Sequence, residues 1–538
     1  MTNNQSALSS GNELPRSAAG GRNPWLIAVV VSIATFMTVL DTSIANVALR
    51  HIAGSLAAGL DESTWVITSY LVSSAVILPI SGWLANVIGR KRFYLLCVAT
   101  FTVFSLLCGL APNLPSLILF RVLQGLGGGG MAPSEQSILA DTFPQSQRAH
   151  AFALYGMAVI VAPTVGPTIG GWITDNWSWH WIFFINAPIG LTSLALVSWL
   201  VAEPEVLKRE RRRLFQRGLR VDWIGFLLVA LALGSLEVVL DRGQMDDWFS
   251  SEFIVAFATV SATSFAVFFP WEFARKEPIV EVRLLFQRQF GTCFLMMMVV
   301  GGVLFSSIQL LPQLVQSDFM YTATLAGLSL MPGGLAMMMM MPIAAVASNH
   351  IQPRYLMAFG MFIVALAMWH STSLTPDASF KYFMWVRIYQ TIGLPFLFIP
   401  ITAASYADVP ANKTNQASAL INVARYAGGS IGVSMANTLL ERREQFHQLR
   451  LTEDLYQSSI QYQQALHATA QDLVARGTSY VDAQHQALGV IEQLVQQQAS
   501  LLSYMDVFRA FAVVSFCMVF VALLFVRKIT LGGKPVER

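Results

Sequence analysis

Long apolar runs recur along this chain from Trp25 almost to its C-terminus, and they leave few folds open. A helix needs about 20 mostly apolar residues to cross a bilayer. Runs of that kind lie near 25–49, 63–88, 93–111, 116–140, 149–174, 181–201, 223–240, 253–272, 288–312, 323–347, 355–372, 379–405, 414–440 and 505–526. Composition agrees. The chain is 54% hydrophobic and 12% charged, where soluble domains run at about 25% charged. So few charges cannot cover a water-facing surface of this size. The expectation is an all-α integral membrane protein of about fourteen spans. No short apolar core with a cleavage site precedes Trp25, so the first run is expected to remain in the mature chain.

Lysine and arginine set the orientation, because cytoplasmic loops hold the excess of both. Arg90, Lys91 and Arg92 follow the second run. Lys208, Arg209, Arg211, Arg212, Arg213, Arg217 and Arg220 follow the sixth. Arg275, Lys276, Arg283 and Arg288 follow the eighth, and Arg527, Lys528, Lys534 and Arg538 end the chain. The alternate loops are poor in both residues, with Arg50 and Arg242 as exceptions. Both termini are therefore expected in the cytoplasm, which requires an even number of spans.

The expected layout follows. A cytoplasmic tail (1–24) leads into a six-helix bundle (25–201), a basic cytoplasmic loop (202–222) and two inserted helices (223–272). A cytoplasmic loop (273–287) precedes a second six-helix bundle, made of 288–441 and 505–527, and a cytoplasmic tail (528–538) closes the chain. Residues 442–504 form one long loop outside. They are polar, rich in Gln and Ala, and helical in rhythm. Tyr462, Leu466 and Leu473 fall near one face, and Leu488, Ile491 and Val495 form a second stripe. Gly477 before Thr478 and Ser479 marks a stop and a new start. Two amphipathic helices are expected there, either packed on the protein's own surface or docking a helical partner.

Six-helix bundles in duplicate are suggested by an internal repeat. Pro79-Ile80, Asn86, Ile88 and Lys91 recur in spacing as Pro342-Ile343, Asn349, Ile351 and Arg354. Arg121, Gln124 and Gly127 recur as Arg387, Gln390 and Gly393. Duplicated bundles are the usual plan of rocking transporters.

A charge at the bilayer centre costs about 2.5–3.5 kcal/mol even on lenient scales, so it faces protein or water. Asp41 lies about eight residues inside the first run, roughly 12 Å deep at 1.5 Å per residue. Arg121 lies about five residues inside the fourth, roughly 8 Å deep. Those depths allow an ion pair or a shared water. Burial disfavours a charged carboxylate and a nearby guanidinium favours it, so the pair can set a working proton affinity. Asp41 is the expected proton carrier and Arg121 its tuner. A permanent bridge between helices is the alternative. Glu237, three or four residues from the outer end of the seventh run, either snorkels to the interface or serves as a second proton or cation site. Arg387 and Arg425 have no obvious carboxylate partner in their half, which leaves room for an anionic substrate. With Asn46, Gln124, Gln390 and Asn422 they are the candidates for the substrate cavity or its gating.

Residues 162–171 (APTVGPTIGG) place Pro163 and Pro167 four apart beside Gly166, Gly170 and Gly171. The prolines remove helix hydrogen bonds and should bend the span, and the glycines admit a neighbouring backbone. Runs of methionine at 296–298 and 337–341 supply adaptable apolar surface, for a drug pocket or for lipid. Cys97, Cys108, Cys293 and Cys517 lie in apolar runs without paired spacing, so no disulfide frame or metal site is expected.

Taken with their order, these segments resemble the major facilitator superfamily, and within it the fourteen-span drug:proton antiporters of the EmrB/QacA type. Residues 40–49 (LDTSIANVAL) look like the first-span signature. Residues 82–92 (GWLANVIGRKR), with Gly82, Asn86, Gly89, Arg90 and Lys91, resemble the second-loop motif, which usually has Asp at the place of Asn86. Arg121, Gln124 and Gly125 match the fourth-span motif, and Gly166-Pro167 with Gly170-Gly171 match the antiporter motif. Residues 181–190 (WIFFINAPIG) and 240–248 (LDRGQMDDW) look specific to the EmrB-like branch. Arg50 departs from the signature, which often ends in Pro.

The resemblance implies a major facilitator fold with two inserted helices. It implies export of hydrophobic toxic compounds across a bacterial inner membrane, driven by protons without a bound cofactor, with Asp41 coupling and Arg121 assisting. It also implies a periplasmic adaptor and, through it, an outer-membrane channel as partners of the long loop. Export of one amphiphile such as a fatty acid is the rival reading. No nucleotide loop, metal cluster or catalytic triad spacing supports an enzyme, and nothing in the charge pattern calls for nucleic acid.

Overall fold

The computed structural model describes residues 23–144, 147–202, 216, 222–275, 278–410, 413–453 and 459–528. The tail 1–22, the basic residues of 203–221 (Lys208, Arg209, Arg211, Arg212, Arg213, Arg217 and Arg220), Lys276, and Lys534 and Arg538 in the terminal stretch lie outside the described residues.

Among the described residues fourteen helices of spanning length follow one another, with one shorter helix between the last two. The first half holds α1 (Pro24–Ser55), α2 (Trp65–Ile88), α3 (Arg90–Gly109), α4 (Leu114–Thr142), α5 (Arg148–Asn176) and α6 (Trp181–Leu200). Next come α7 (Trp223–Arg242) and α8 (Glu252–Ala274). The second half holds α9 (Arg288–Ser317), α10 (Ala323–His350), α11 (Pro353–His370), α12 (Phe380–Ser405) and α13 (Thr414–Glu453), then the short α14 (Ile460–Ala475) and the long α15 (Tyr480–Phe525). The starts are written in local chemistry. Asn23 and Asn113 accept from Trp25 and Ser116 N–H at α1 and α4, each just ahead of a proline that gives up no useful donor.

Eleven of these helices are long and apolar enough to cross a membrane by length and composition. Of the others, α4 and α13 are less apolar and α11 is the shortest of the fourteen. For α4 the reason is packing: every residue from 127 to 140 is buried by other helices. Such a helix needs small residues that admit neighbouring backbones more than it needs lipophilic ones. The expected count of fourteen spans is compatible with this arrangement.

Within the first half α1 packs on α5, and α2 and α3 on α4; in the second, α9 packs on α13, α10 on α12 and α11 on α15. The halves meet along α2–α13 and α5–α10. The inserted pair α7–α8 docks through α7 onto α2, and α7 also touches α13. Pro163 and Pro167 lie inside one continuous helix, α5.

The outer segment differs from expectation in two ways. The helices do not stop at the membrane edge: α13 runs on to Glu453, and α15 passes unbroken from the outer segment through the last span. No proline and only Gly489 interrupt 480–525, so nothing local ends the helix. Gly477, at φ +98, does make the turn between α14 and α15. Tyr462, Leu466 and Leu473 are partly buried as expected, but Leu488 is exposed; the buried line on α15 passes through Ala483 and Ala487, with Ile491 and Val495 half-buried. Small residues let α14 and α15 approach closely there. At the base, Gln497 and Ser500 of α15 donate to the backbone and carboxylate of Asp318 after α9 (3.0 and 3.1 Å). Burial pushes the Asp318 carboxyl up from the usual range, and burial does the same to Glu444 on the α13 extension.

Candidate functional site

Asp41 and Arg121 meet, as depth counting along α1 and α4 predicts. Arg121 Nη1 donates to Asp41 Oδ2 at 2.6 Å, with Arg121 0% and Asp41 2% exposed. The carboxylate takes two more donors on its other oxygen: Gln124 Nε2 at 3.1 Å and Asn186 Nδ2 at 2.7 Å. Other helices then hold these partners. Arg121 Nε donates to the Val66 carbonyl of α2 (2.9 Å), its plane lies over Tyr70 (4.3 Å), and Asn186 of α6 also donates to Ser105 of α3 (3.0 Å). A buried charge is tolerable only when paired and hydrogen-bonded on its remaining positions, and this carboxylate is.

The antiporter motif backs α1 at this level. Ser43 donates to Pro163 O (3.4 Å), and a Cβ on Gly166 or Gly170 would stand 2.5 Å from Ser43 Oγ or 2.8 Å from Ile44 Cγ2. The opposite face of α5 carries Thr168 and Pro167 against Gly327 of α10, so the motif joins α1 to the other half. Gly171 meets only Val47, at 3.9 Å.

The repeat is real in three dimensions and asymmetric in charge. Gln124 faces Cys108 on α3 and Gln390 faces Ser371 at the end of α11. Arg121 faces Asp41 on α1, whereas Arg387 donates to Ser307 of α9 at 2.9 Å. The second half thus has a hydroxyl where the first has a carboxylate. Arg387 is buried, and among the described residues no carboxylate pairs with it.

Asn422 and Arg425 belong to a different cluster, on the seam between halves. Arg425 donates to the Tyr155 hydroxyl of α5 (3.0 Å) among the rings of Tyr155, Phe398 and Tyr426. Asn422 donates to Gln136 Oε1 of α4 (2.8 Å), and Ser418 donates to the Pro133 carbonyl (2.8 Å). Phe152 stacks on Tyr406 nearby. Asn46 joins neither cluster and is exposed on α1.

The second-loop motif closes the same seam. Gly82 lies against the backbone of Asn415 and Gln416, where a Cβ would come within 2.8 Å, and Asn415 donates to Asn86. An amide pair therefore stands where the motif usually offers a charge. Gly89 takes φ +101 to turn α2 into α3, Arg90 pairs with Asp141, and Lys91 donates to Ser198 O (2.6 Å).

Glu237 does not snorkel. It is 7% exposed and accepts from Ser430 of α13 (2.7 Å), because α7 packs its polar edge between the halves. Asp241, one turn on, accepts from Thr68 of α2.

Four buried polar positions escape the sequence reading. Asn186 sits inside the 181–190 motif without a role of its own, and Gln136 and Tyr155 give no signal beyond being polar in apolar runs. Glu135 gives a plain one: an acidic residue in the fourth run, buried at 0% exposure and accepting from Thr35 of α1.

Two six-helix bundles, the first closed around a buried ion pair, with polar seams between them, define a polytopic membrane transporter of the duplicated-bundle class. The chain belongs to the major facilitator superfamily, whose profile matches residues 31–433, and within it to the EmrB-like family. It is 35% identical over 484 residues to the multidrug export protein EmrB of Escherichia coli K12, covering 90% of this chain and 91% of that one. It is equally similar, at 35% over 484 residues, to the fatty acid resistance protein FarB of Neisseria gonorrhoeae (90% and 92% covered). EmrB of Haemophilus influenzae is 37% identical over 431 residues, covering 80% and 83%. In fold alone, the proton:xylose symporter XylE bound to 6-bromo-6-deoxy-D-glucose superposes at a TM-score of 0.58 with 13% identity, covering 94% of this chain and 97% of that one. The human organic anion transporter MFSD10 does so at 0.57 with 12% identity, covering 92% and 99%.

Proposed function

We propose that this chain is a proton-driven multidrug exporter of the bacterial inner membrane, with both termini in the cytoplasm. The observation that carries the reading is the Asp41 carboxylate, sealed from water inside the first bundle and held by Arg121, Gln124 and Asn186. A carboxylate so placed changes charge only when the helices around it move, which ties proton binding to the rocking of the halves. Seam contacts at Asn86–Asn415, Pro133–Ser418 and Phe152–Tyr406 close the expected cytoplasmic side. On the expected outer side, among the described residues, α1 and α9 form no packed interface, and Asn46 is exposed. The halves also meet on that side, where Thr168 and Pro167 of α5 lie against Gly327 of α10. Multidrug export by EmrB relatives supports the substrate range. Expression in a sensitised host should give resistance to several unrelated hydrophobic compounds; resistance to none of them overturns the reading.

Arg387 favours a second reading. A buried guanidinium with Ser307 as its one side-chain hydrogen-bond partner among the described residues suits the carboxylate of an amphiphile, and the relative FarB is a fatty acid resistance protein. If long-chain acids are the cargo, Arg387→Ala should end resistance to them and leave resistance to hydrophobic cations at the wild-type level. Equal loss of both assigns Arg387 a structural part.

The outer helices are the proposed dock for a periplasmic adaptor that leads to an outer-membrane channel. Leu449, Ile460, Leu488 and Leu494 expose large apolar side chains on this water-facing segment. Because α15 is continuous, substitution tests this better than deletion. Leu449→Glu with Leu488→Glu and Leu494→Glu should abolish adaptor co-purification and cellular resistance, with transport in reconstituted vesicles unchanged. Undiminished co-purification would dismiss these side chains as the dock.

A further inference from the structure

Glu135 is a second carboxylate sealed inside the first bundle, on α4, and the ion pair does not use it. It is 0% exposed. Thr35 of α1 donates to its Oε2, Ser32 faces it from the same helix, and among the described residues its Oε1 has no hydrogen-bond partner. Among the described residues no ion pair reaches it. The titratable groups around it are accounted for elsewhere. Tyr94 of α3 donates to the Val31 carbonyl (2.9 Å), and Arg425 of α13 donates to the Tyr155 hydroxyl of α5 (3.0 Å). A buried anion without a cation is the most costly state a carboxyl group can take, and a neutral, protonated one the cheapest.

The second observation is the run of polar positions on α1 between the two carboxyl groups. Ser32, Thr35, Thr38 and Asp41 stand at successive three-residue steps, and all four are buried. Side chains at i and i+3 are neighbours on a helix, with Cβ atoms about 5–6 Å apart, a gap one bridging water closes. Thr35 is engaged with Glu135 already, and Thr38 stands between it and Asp41 with its hydroxyl on the Thr35 carbonyl (2.9 Å).

Resting on the proton-driven reading above, we infer that Glu135 is a second proton-binding group, and that Thr38 and Thr35 carry the proton to it from Asp41. Asp41 gives up its proton toward Thr38 and returns to the anion that Arg121 holds. Thr38 and then Thr35 each receive a proton on the hydroxyl oxygen, by way of water, and release their own, the last going to Glu135 Oε2. The carboxylate becomes a carboxylic acid, and no other bond or charge changes. Glu135 lies seven residues before the end of α4, nearer the expected cytoplasmic side than Asp41, so it holds the proton on the way out of the site.

The test uses the purified full chain in vesicles, with ethidium and oleate as separate probes. Two rates are read: transport driven by an imposed pH gradient, and probe exchange without a gradient. Glu135→Gln should keep exchange and lose driven transport, and Glu135→Asp should restore it. Thr35→Val, which leaves the carboxyl in place, should slow driven transport and spare exchange. Glu135→Gln with wild-type driven rates and an unchanged proton count per probe overturns the inference. So does equal loss of exchange and driven transport in a folded Glu135→Gln protein, which assigns the residue to structure. Should Glu135→Gln not fold, wild-type driven rates in both Glu135→Asp and Thr35→Val overturn it. If the wild-type protein moves neither probe under a gradient, it is the proton-driven reading itself that falls.

Discussion

Asp41→Asn should abolish gradient-driven efflux while leaving the protein folded and in the membrane. The geometry separates those two outcomes. Asparagine keeps the shape of aspartate and an oxygen that can accept from Arg121, and its NH2 is satisfied once the Gln124 and Asn186 amides turn to present their oxygens. Losing the charge on one partner of a buried hydrogen bond costs roughly 1–3 kcal/mol. Asp41→Leu removes the acceptor altogether and leaves a fully buried cation unpaired, at a cost of roughly 3–5 kcal/mol. The leucine variant should therefore be depleted from the membrane, and the asparagine variant should not. Proton uptake differs in kind: an amide cannot take the proton at any working pH, so driven transport should fall to background whatever the stability. Exchange of substrate without a gradient should persist, because the halves can still rock. The measurement is paired, driven transport and exchange in vesicles beside a thermal melt in detergent. Driven efflux at the wild-type rate in Asp41→Asn would remove the residue from coupling. Loss of exchange together with driven transport would make the ion pair a static brace.

How far the sequence can be read depends on which physical signal each feature leaves. Helix existence is legible because lipid demands long apolar runs: the run near 253–272 is α8, Glu252–Ala274, and the run near 149–174 is α5, Arg148–Asn176. Helix ends are legible where a cap or glycine marks them, as at Asn113 and Gly477, and illegible where only hydropathy changes. Hydropathy falls where lipid ends, but the backbone has no reason to stop there, and α13 and α15 continue into water. Depth from the membrane edge can be counted along a sequence, and that count pairs Asp41 with Arg121. Rotation about the helix axis cannot be counted so easily, and Asn186, 145 residues from its partner Asp41, gives no sign of being a ligand of that carboxylate. Partners across the seam leave no local trace either: Arg425 and Tyr155 are 270 residues apart. Glu237 misleads because its distance from the span's end suggests water, whereas α7 turns it onto α13. Glu135 needs no structure to be noticed, since a lone acid in an apolar run is a signal by itself.

Gly428→Val should cost the protein most of its folded yield, and the reason lies in what surrounds the missing side chain. The helices α9 and α13 approach so closely that a Cβ on Gly428 would stand 2.1 Å from the Met298 carbonyl oxygen. The contact is reciprocal. A Cβ on Gly301 would stand 2.1 Å from the Arg425 carbonyl oxygen, and one on Gly432 would stand 2.4 Å from Gly302 Cα. A flexible side chain can swing away from an inserted methyl, but helix backbone on both sides cannot. Overpacking a core that can adjust costs typically about 1–3 kcal/mol, and this seam should exceed that range because the helices must separate along their whole contact. Small residues are what allow such approach when lipid offers no hydrophobic drive toward it. Separation would also move Arg425, one turn before Gly428, away from Tyr155, so any protein that survives should transport poorly. Gly428→Ala should be intermediate, since one Cβ already clashes. Gly489→Ala is the matched control: nothing lies within 4 Å of it, and an alanine in mid-helix should stabilise by roughly 0.5–1 kcal/mol. Membrane yield and the detergent melt read all three. A Gly428→Val protein that melts with the wild type would mean that α9 and α13 do not touch along this face, and the second bundle would have to be rebuilt around a different pair.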